Sequence, residues 1–568
     1  MSVDENTPIL RSCIKLPLAT DELLEVTAKA KDYAIMHGAA MRSKTSFSPD
    51  SLNFAPFVLV PSAFPRKEFE KAIALQPIIN RLMHNVAHDE EFITTTLAET
   101  IKVDEFTANL FKIYRKVLAH GFTQRISLGM LRSDLMLESG CPELSPLLHH
   151  LADTTKSATT APVPVPVAVP VPACAPVPAA GGGGDDDDVD EQAALGKVEE
   201  AATAFKVGVV RTISKSSAYC CWKQVEINTI ASGFGHLGPA SKTIQSFVLR
   251  ELGHAEKLKH MPKNDALAGL CDGMVKAWDI YGKPESVILF IIEDISYNIC
   301  DQRFHEFYIR ETYPHIKVLR RTLTEVHREG KLGQRKELLL GTTEVAVIYF
   351  RAGYEPGHYP TQGEWDARYL METSLAIKCP SIQYHLAGTK KVQQALAQPA
   401  VLERFINDPE EIKAVGKIFT GLYSLDDNEV GNANYEMALR TPERFVLKPQ
   451  REGGGNNVYG MDIPDALKRM TRVERSAWIL MDLIHPPLTQ GYMVRPGSDM
   501  PPQIMDMVSE LGIFGVVIGD ADNIVHNYQA GHMLRTKLST ANEGGVAAGL
   551  GALDSPYLID SEDEDASN

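Results

Sequence analysis

The residues best suited to chemistry fall in one short run: Lys448, Pro449, Gln450, Arg451, Glu452, Gly453, Gly454, Gly455, Asn456, Asn457, Val458 and Tyr459. It follows an apolar stretch at 445–447 that reads as a strand. Three successive glycines let backbone amides approach an anion closely. Lys448 and Arg451 bring positive charge for a phosphate, and Glu452 brings a hard oxygen of the kind Mg2+ prefers. A glycine-rich surface turn is the competing interpretation. The run is not a P-loop, since no Gly-Lys in it precedes Ser or Thr.

A second candidate is Glu226, Ile227, Asn228, Thr229, Ile230, Ala231 and Ser232. Alternation along a strand turns Glu226 and Asn228 to the same side, where two oxygen donors suit Mg2+. An exposed polar strand face reads equally well. Next comes Gly233-Phe234-Gly235-His236-Leu237-Gly238, which matches GxGxxG, with Glu251 at roughly the ~20-residue spacing of a dinucleotide site. There the first glycine follows the strand at once. Here 229–232 intervene, so nicotinamide binding is not expected. A third region pairs Arg535 and Lys537 with a small-residue loop, Glu543, Gly544, Gly545, Val546, Ala547, Ala548 and Gly549. It suits a lid over an anion or a flexible C-terminal turn.

Mixed helices and strands must position these groups. Phe106, Leu110, Tyr114, Val117 and Leu118 share one helical face, as do Leu267, Leu270, Cys271, Met274 and Trp278. The apolar run 287–292 predicts a strand covered on both faces. The stretches 345–350, 478–484 and 511–518 predict further strands. No internal repeat is apparent. One segment stands apart: 157–188 reads SATTAPVPVPVAVPVPACAPVPAAGGGGDDDD. Its prolines forbid helix and favour polyproline II, in which Pro162 to Pro178 would extend roughly 50 Å at about 3.1 Å per residue. Such a composition cannot bury enough apolar area to order itself, which predicts a disordered insert. A short helix is expected at 190–205.

A length of 568 residues calls for two or three domains, and 44% hydrophobic with 23% charged residues predicts that most of the chain folds. The net charge of −16 argues against nucleic acid as a partner, because phosphate neutralisation needs a basic face. Part of that excess is local, at 185–188 and in the tail 560–565. No apolar run approaches the ~20 residues of a membrane helix, and no secretory signal is apparent. The expectation is a cytoplasmic protein with no membrane partner. None of the eight cysteines forms a CxxC pair, so a zinc site is not expected. Adjacent Cys220 and Cys221 read as plain thiols.

Together these regions resemble the eukaryotic glutathione synthetase family of ATP-grasp ligases. The likeness runs through Leu131-Arg132-Ser133-Asp134, Glu226-Ile227-Asn228-Thr229-Ile230, and Asn298 with Asp301-Gln302-Arg303. It continues through Tyr349-Phe350-Arg351-Ala352-Gly353-Tyr354, Gly388-Thr389-Lys390-Lys391, and the run from Lys448 to Asn457. It ends with Glu510-Leu511-Gly512-Ile513-Phe514-Gly515 and Leu534-Arg535-Thr536-Lys537. These lie in the family's order and cover the chain outside roughly 140–215.

The resemblance implies an α/β (α+β) protein with the ATP-grasp fold, lid loops and an embedded parallel-sheet substrate-binding domain. Its implied parts are a ligase body at 1–139 and 216–285, the insert at 140–215, the substrate-binding domain at 286–388, the ATP-grasp domain at 389–559 and an acidic tail at 560–568. The implied reaction is phosphorylation of the cysteinyl carboxylate of γ-glutamylcysteine by ATP, with two Mg2+ ions, then attack by glycine. A homodimer is also implied. Carried over residue by residue, Glu226, Asn228 and Glu452 match metal ligands. Glu226, Lys390, Lys448, Gly453, Gly454, Gly455, Asn456, Asn457, Tyr459, Met481, Asp482, Leu483, Ile484, Glu510, Lys537 and Glu543 match ATP contacts. Arg132, Ile230, Ala231, Ser232, Gly233, Asn298, Gln302, Arg351, Tyr354, Arg535, Val546 and Ala547 match substrate contacts. Arg535, Lys448 and Glu452 match the catalytic positions.

The departures are specific. Gly233 stands where members commonly have serine. Ser296 and Tyr297 replace a Glu-Arg pair, Leu483 replaces a basic residue of some members, and Glu543 replaces aspartate. The Pro-Val insert has no counterpart in the family. Two rivals remain: a sister ligase taking another small amine such as β-alanine, and a silent nucleotide-binding paralogue. The silent paralogue predicts lost metal ligands or phosphate lysines, and none is lost.

Overall fold

The computed structural model describes residues 7–139, 219, 221–451, 455–542, 544, 546 and 550–560. The insert, the helix expected at 190–205, the acidic tail beyond 560, and Glu452, Gly453, Gly454, Glu543 and Ala547 lie outside the described residues.

An eight-stranded, mostly antiparallel sheet is the backbone of the molecule. Its centre is a long hairpin of Ile504–Gly519 and Ile524–Leu538, paired so that Glu510 lies opposite Arg535. Ser127–Glu138 joins the other edge of Ile504–Gly519, with Asp134 opposite Gly512. Cys221–Asn228 joins next, with Arg132 opposite Asn228 and Asp134 opposite Glu226. Strand alternation turns Leu131, Leu135, Ile227, Leu511 and Ile513 into a core with Ile79, Leu82 and Met83 of the helix Arg66–Ala87. Phe514, Val516, Met130 and Met533 pack on the opposite face against Leu270 and Met274 of the helix Ala266–Tyr281. Arg132, Asp134, Glu226, Asn228 and Glu510 are thereby brought side by side on neighbouring strands. Gly512 is required among them. A Cβ there would come within 2.9 Å of the Arg132 side chain and of Asp134 Oδ1.

A second sheet runs parallel through Lys317–Arg321, Val287–Ile291, Thr343–Phe350 and Ile377–Cys379. Its central strand Val287–Ile291 is buried throughout, as its unbroken apolar run predicts. The chain leaves the C-terminal ends of its two middle strands at Glu293 and Arg351. A third, antiparallel sheet orders Leu422–Ser424, Trp478–Asp482, Phe445–Pro449 and Val458–Tyr459. Phe445, Leu447, Ile463, Leu467 and Leu480 form its own small core.

Both expected helical faces are realised. Phe106, Leu110, Tyr114 and Val117 are buried on the helix Glu105–His120, and Leu270, Cys271, Met274 and Trp278 on Ala266–Tyr281. Strand limits differ more. The stretch 511–518 belongs to the sixteen-residue strand Ile504–Gly519, and 478–484 yields only Trp478–Asp482. Ser127–Glu138 and Ile524–Leu538 carry no alternation that marks them as strands. The first is buried on both faces with Arg132, Ser133 and Asp134 inside it, so its pairing comes from tertiary context rather than local pattern.

Candidate active site

A cavity of about 420 Å3 is lined by residues of the large and the four-stranded sheets and by Glu293 and Arg351, which follow strands of the parallel sheet. One end is an apolar slot. Met136 from the large sheet, Val446 and Met481 from the four-stranded sheet, and Ile484 just beyond it line this end and share a small apolar cluster with Val508. Two sheets facing across such a gap suit a flat aromatic heterocycle. Asp482 and Leu483 also line it; the Asp482 carboxylate accepts a bond from Arg444 Nε at 2.9 Å.

Basic groups converge beyond the slot. Lys448, on the strand Phe445–Pro449, donates to the Val225 carbonyl at 3.1 Å. Lys390 opens the helix Lys390–Leu396, and its Nζ donates to the Arg451 carbonyl at 2.7 Å while lying 3.9 Å from Glu226. Burial by itself would push the Glu226 carboxyl up. Lys390 and Lys448, with Arg132 and Arg535, outweigh it and hold the group down to about 2, so Glu226 is an anion at any ordinary pH. Arg535 Nη2 donates to Glu510 Oε1 at 2.5 Å, and Lys537 Nζ to the Asn542 carbonyl at 2.6 Å. Asn456, Asn457 and Tyr459 complete this wall. Gly455 does not line the cavity; it sits in the turn before Val458–Tyr459 with φ of 81°.

Asp134 ties the strands together. Its Oδ1 accepts from Arg132 Nε at 2.6 Å, and its Oδ2 from Arg132 Nη2 at 2.7 Å and Asn228 Nδ2 at 2.9 Å. Burial pulls this carboxyl up to about 7 against the Arg132 guanidinium. Because the Asn228 amide nitrogen is held by Asp134, its oxygen is the atom left for a cation. That oxygen and the Glu226 carboxylate are hard donors on one strand face, a set that fits Mg2+. Among the described residues no group of three or more His, Cys, Asp or Glu could hold a metal ion; Glu452, the third expected ligand, lies outside them.

The other end is built on a strained loop. Ala231 and Phe234 adopt φ of 51° and 76°, a region that costs side-chain-bearing residues about 1–3 kcal/mol each. The loop is held from several sides. Arg351 Nη1 donates to the Ala231 carbonyl at 2.6 Å, and Arg132 Nη1 to the Gly233 carbonyl at 3.0 Å. Asp301 accepts the backbone N–H groups of Phe234, His236 and Leu237 at 2.9, 3.0 and 3.2 Å. Three amides of the GxGxxG segment are thus taken by the protein's own carboxylate, and that of Gly238 by the Phe234 carbonyl, which argues against the dinucleotide reading. Ile230, Ala231, Ser232, Gly233, Asn298, Gln302, Arg351, Tyr354 and Val546 all line this end or its rim. Ser232 Oγ, Asn298 Oδ1 and Arg535 Nε are buried without a hydrogen-bond partner, as groups waiting for a polar ligand would be.

Lys44, Glu293 and Tyr297 also line the cavity and carry no local signal as site residues. Glu293 had a topological one: it follows a buried parallel strand, where such sheets bind ligands. Lys44 reaches the site only through the fold.

The fold and this cleft are those of an ATP-grasp ligase. The description "Eukaryotic glutathione synthase, ATP binding domain" matches residues 20–148 and 197–558. The glutathione synthetase of Xenopus laevis is 36% identical over 546 residues, covering 95% of this chain and 98% of that protein. The human glutathione synthetase is 36% identical over 541 residues, 95% of this chain and 97% of its own. A chloroplastic glutathione synthetase of Arabidopsis thaliana is 34% identical over 513 residues, 89% of this chain and 79% of its own. The apo structure of a glutathione synthetase-like effector from Globodera pallida superposes with a TM-score of 0.66 at 22% identity, over 96% of this chain and 98% of that one, and shares the fold. The chain belongs to the eukaryotic glutathione synthase family.

Proposed function

We propose that the protein joins γ-glutamylcysteine to glycine at the expense of ATP, giving glutathione, ADP and phosphate. The observation that carries this reading is one cavity with an apolar slot, converging lysines and an arginine, and a polar end with buried unpartnered atoms. A free carboxylate is a poor electrophile, so it must first gain a leaving group. In this reading the adenine fills the slot beside Met481 and Ile484. Lys390 and Lys448 hold the phosphates, and Lys537 and Glu510 bound the same region. Arg535 stands over the carboxylate oxygens and stabilises charge as the phosphoryl group arrives. Glu226, Asn228 and Glu452 would hold Mg2+, which neutralises phosphate charge when bound. Arg132, Ser232, Asn298, Gln302, Arg351 and Tyr354 orient the dipeptide. By the family resemblance, Gly453, Gly454, Glu543 and Ala547, outside the described residues, would help exclude water until glycine attacks.

The family resemblance further supports two Mg2+ ions per site, a homodimer and a cytoplasmic setting, with neither nucleic acid nor membrane as partner. No helix among the described residues is long and apolar enough to cross a membrane. The domain limits at 286–388 and 389–559 are proposed on the same footing. The test is phosphate release from ATP with γ-glutamylcysteine and a panel of amines. Release should need both the dipeptide and glycine. Release without the dipeptide, or none with it, contradicts the assignment. Sedimentation at a monomer's mass would contradict the dimer.

A further inference from the structure

Resting on that reading, we infer that Glu293 is the group that recognises the α-ammonium of the γ-glutamyl end and so selects the dipeptide. That end of the substrate carries an ammonium and a carboxylate, and each needs a counter-charge once removed from water. Cations for the carboxylate are plentiful, with Arg351 and Lys44 on the cavity wall. Anions are not. The described carboxylates that line the cavity are Glu226, Glu293, Asp482 and Glu510, and of these Glu293 lies at this end. Asp301 is fully buried and saturated, with three backbone N–H donors and Arg351 at 3.6 Å. Glu226 and Glu510 are engaged near the phosphate lysines and Arg535.

Glu293 is poised differently. It lines the cavity just beyond the strand Val287–Ile291. Its Oε1 takes two donors, Tyr354 Oη at 3.3 Å and His358 Nε2 at 3.0 Å. The histidine's tautomer follows from its other nitrogen, which accepts the Gly353 N–H at 3.1 Å, so the proton sits on Nε2 and points at the glutamate. Two donors on one oxygen fix the carboxylate, and Oε2 has no partner among the described residues. A fixed, half-buried carboxylate with one open oxygen is what an ammonium requires. Ser296 and Tyr297, close by in sequence, are uncharged, and Asp294 is exposed and does not line the cavity.

The test compares γ-glutamylcysteine with glutarylcysteine, which lacks only the ammonium, on the intact chain, on Glu293→Gln and on Glu293→Asp. The intact chain should favour γ-glutamylcysteine in kcat/KM by about 10- to 100-fold, the worth of a charge-assisted hydrogen bond. Glu293→Gln should bring the two dipeptides to within about threefold by weakening only the first, with KM for ATP unchanged. Glu293→Asp should keep part of the preference, which guards against a variant that merely folds badly. A purely structural role would lower both dipeptides alike. If Glu293→Gln kept the parent's full preference, the ammonium would be bound elsewhere and the inference overturned. An intact chain inactive on γ-glutamylcysteine itself would overturn the underlying reading, and this inference with it.

Discussion

At the end of the cavity proposed for ATP, working side chains are held by the protein's own carboxylates: Arg535 is bonded to Glu510, and Lys390 lies close to Glu226. At the end proposed for the dipeptide, buried atoms such as Ser232 Oγ and Asn298 Oδ1 have no protein partner. The difference follows ligand chemistry. A nucleotide triphosphate brings several negative charges, and the cations that meet it would be costly to bury alone, so neighbouring carboxylates hold them until it arrives. A dipeptide brings hydrogen-bonding groups, and an orphaned polar atom costs about 1–3 kcal/mol until such a ligand satisfies it. Changes at the first end should therefore fall on turnover, and changes at the second on dipeptide affinity.

The largest effect is expected from Glu452→Gln, which keeps shape and removes charge at a proposed Mg2+ ligand. Turnover should drop by about 100-fold or more, on the order of 3 kcal/mol, with the melting temperature unchanged. Near-normal turnover at ordinary magnesium would break the phosphate half of the comparison. Acceptor choice comes next. Val546 is buried and lines the cavity, in a stretch that the resemblance assigns to closure over the substrates, so an acceptor one methylene longer than glycine is expected to fit less well. Glycine should exceed β-alanine in kcat/KM by an amount on the order of 100-fold, because a misplaced nitrogen loses attack geometry. Equal use of both amines would favour the sister-ligase alternative.

Asn298→Ala sharpens the other half. It should raise KM for γ-glutamylcysteine by about 10-fold while largely sparing kcat, as expected for an interaction made equally in ground and transition states. A kcat loss without a KM change would erase the contrast between the two ends. The smallest effect should come from deleting 157–188 behind a short Gly-Ser bridge. That composition builds no core, so melting temperature and turnover should stay within about twofold of the parent. Collapse of either would make the segment structural.

What the sequence reveals depends on how local the signal is. The Lys448 run is readable because glycines and charges sit together beside a strand. Glu226 and Asn228 are readable because alternation is a two-residue pattern. Arg132 and Asp134 are not readable from pattern, since a strand buried on both faces with polar residues inside shows no alternation. Only family likeness drew attention to them, and their mutual clamp is visible only in three dimensions. The strand Ile504–Gly519 exceeds its apolar stretch because it pairs with Ile524–Leu538 beyond that stretch, so Ser509 and Glu510, opposite Thr536 and Arg535, extend despite their polarity. The GxGxxG match misleads because Asp301, remote in sequence, takes the amides that would otherwise meet a phosphate. Lys44 and Glu293 join the site by folding from distant segments, which no local spacing reports.

The central claim is that ATP activates the dipeptide's carboxylate rather than the amine or water. It is tested most directly by supplying γ-glutamylcysteine with 18O in its cysteinyl carboxylate, together with ATP and glycine, and weighing the phosphate released. An acyl phosphate passes one carboxylate oxygen to phosphate when glycine attacks, so each phosphate should carry a single 18O. Phosphate formed with no label from the dipeptide would contradict the account.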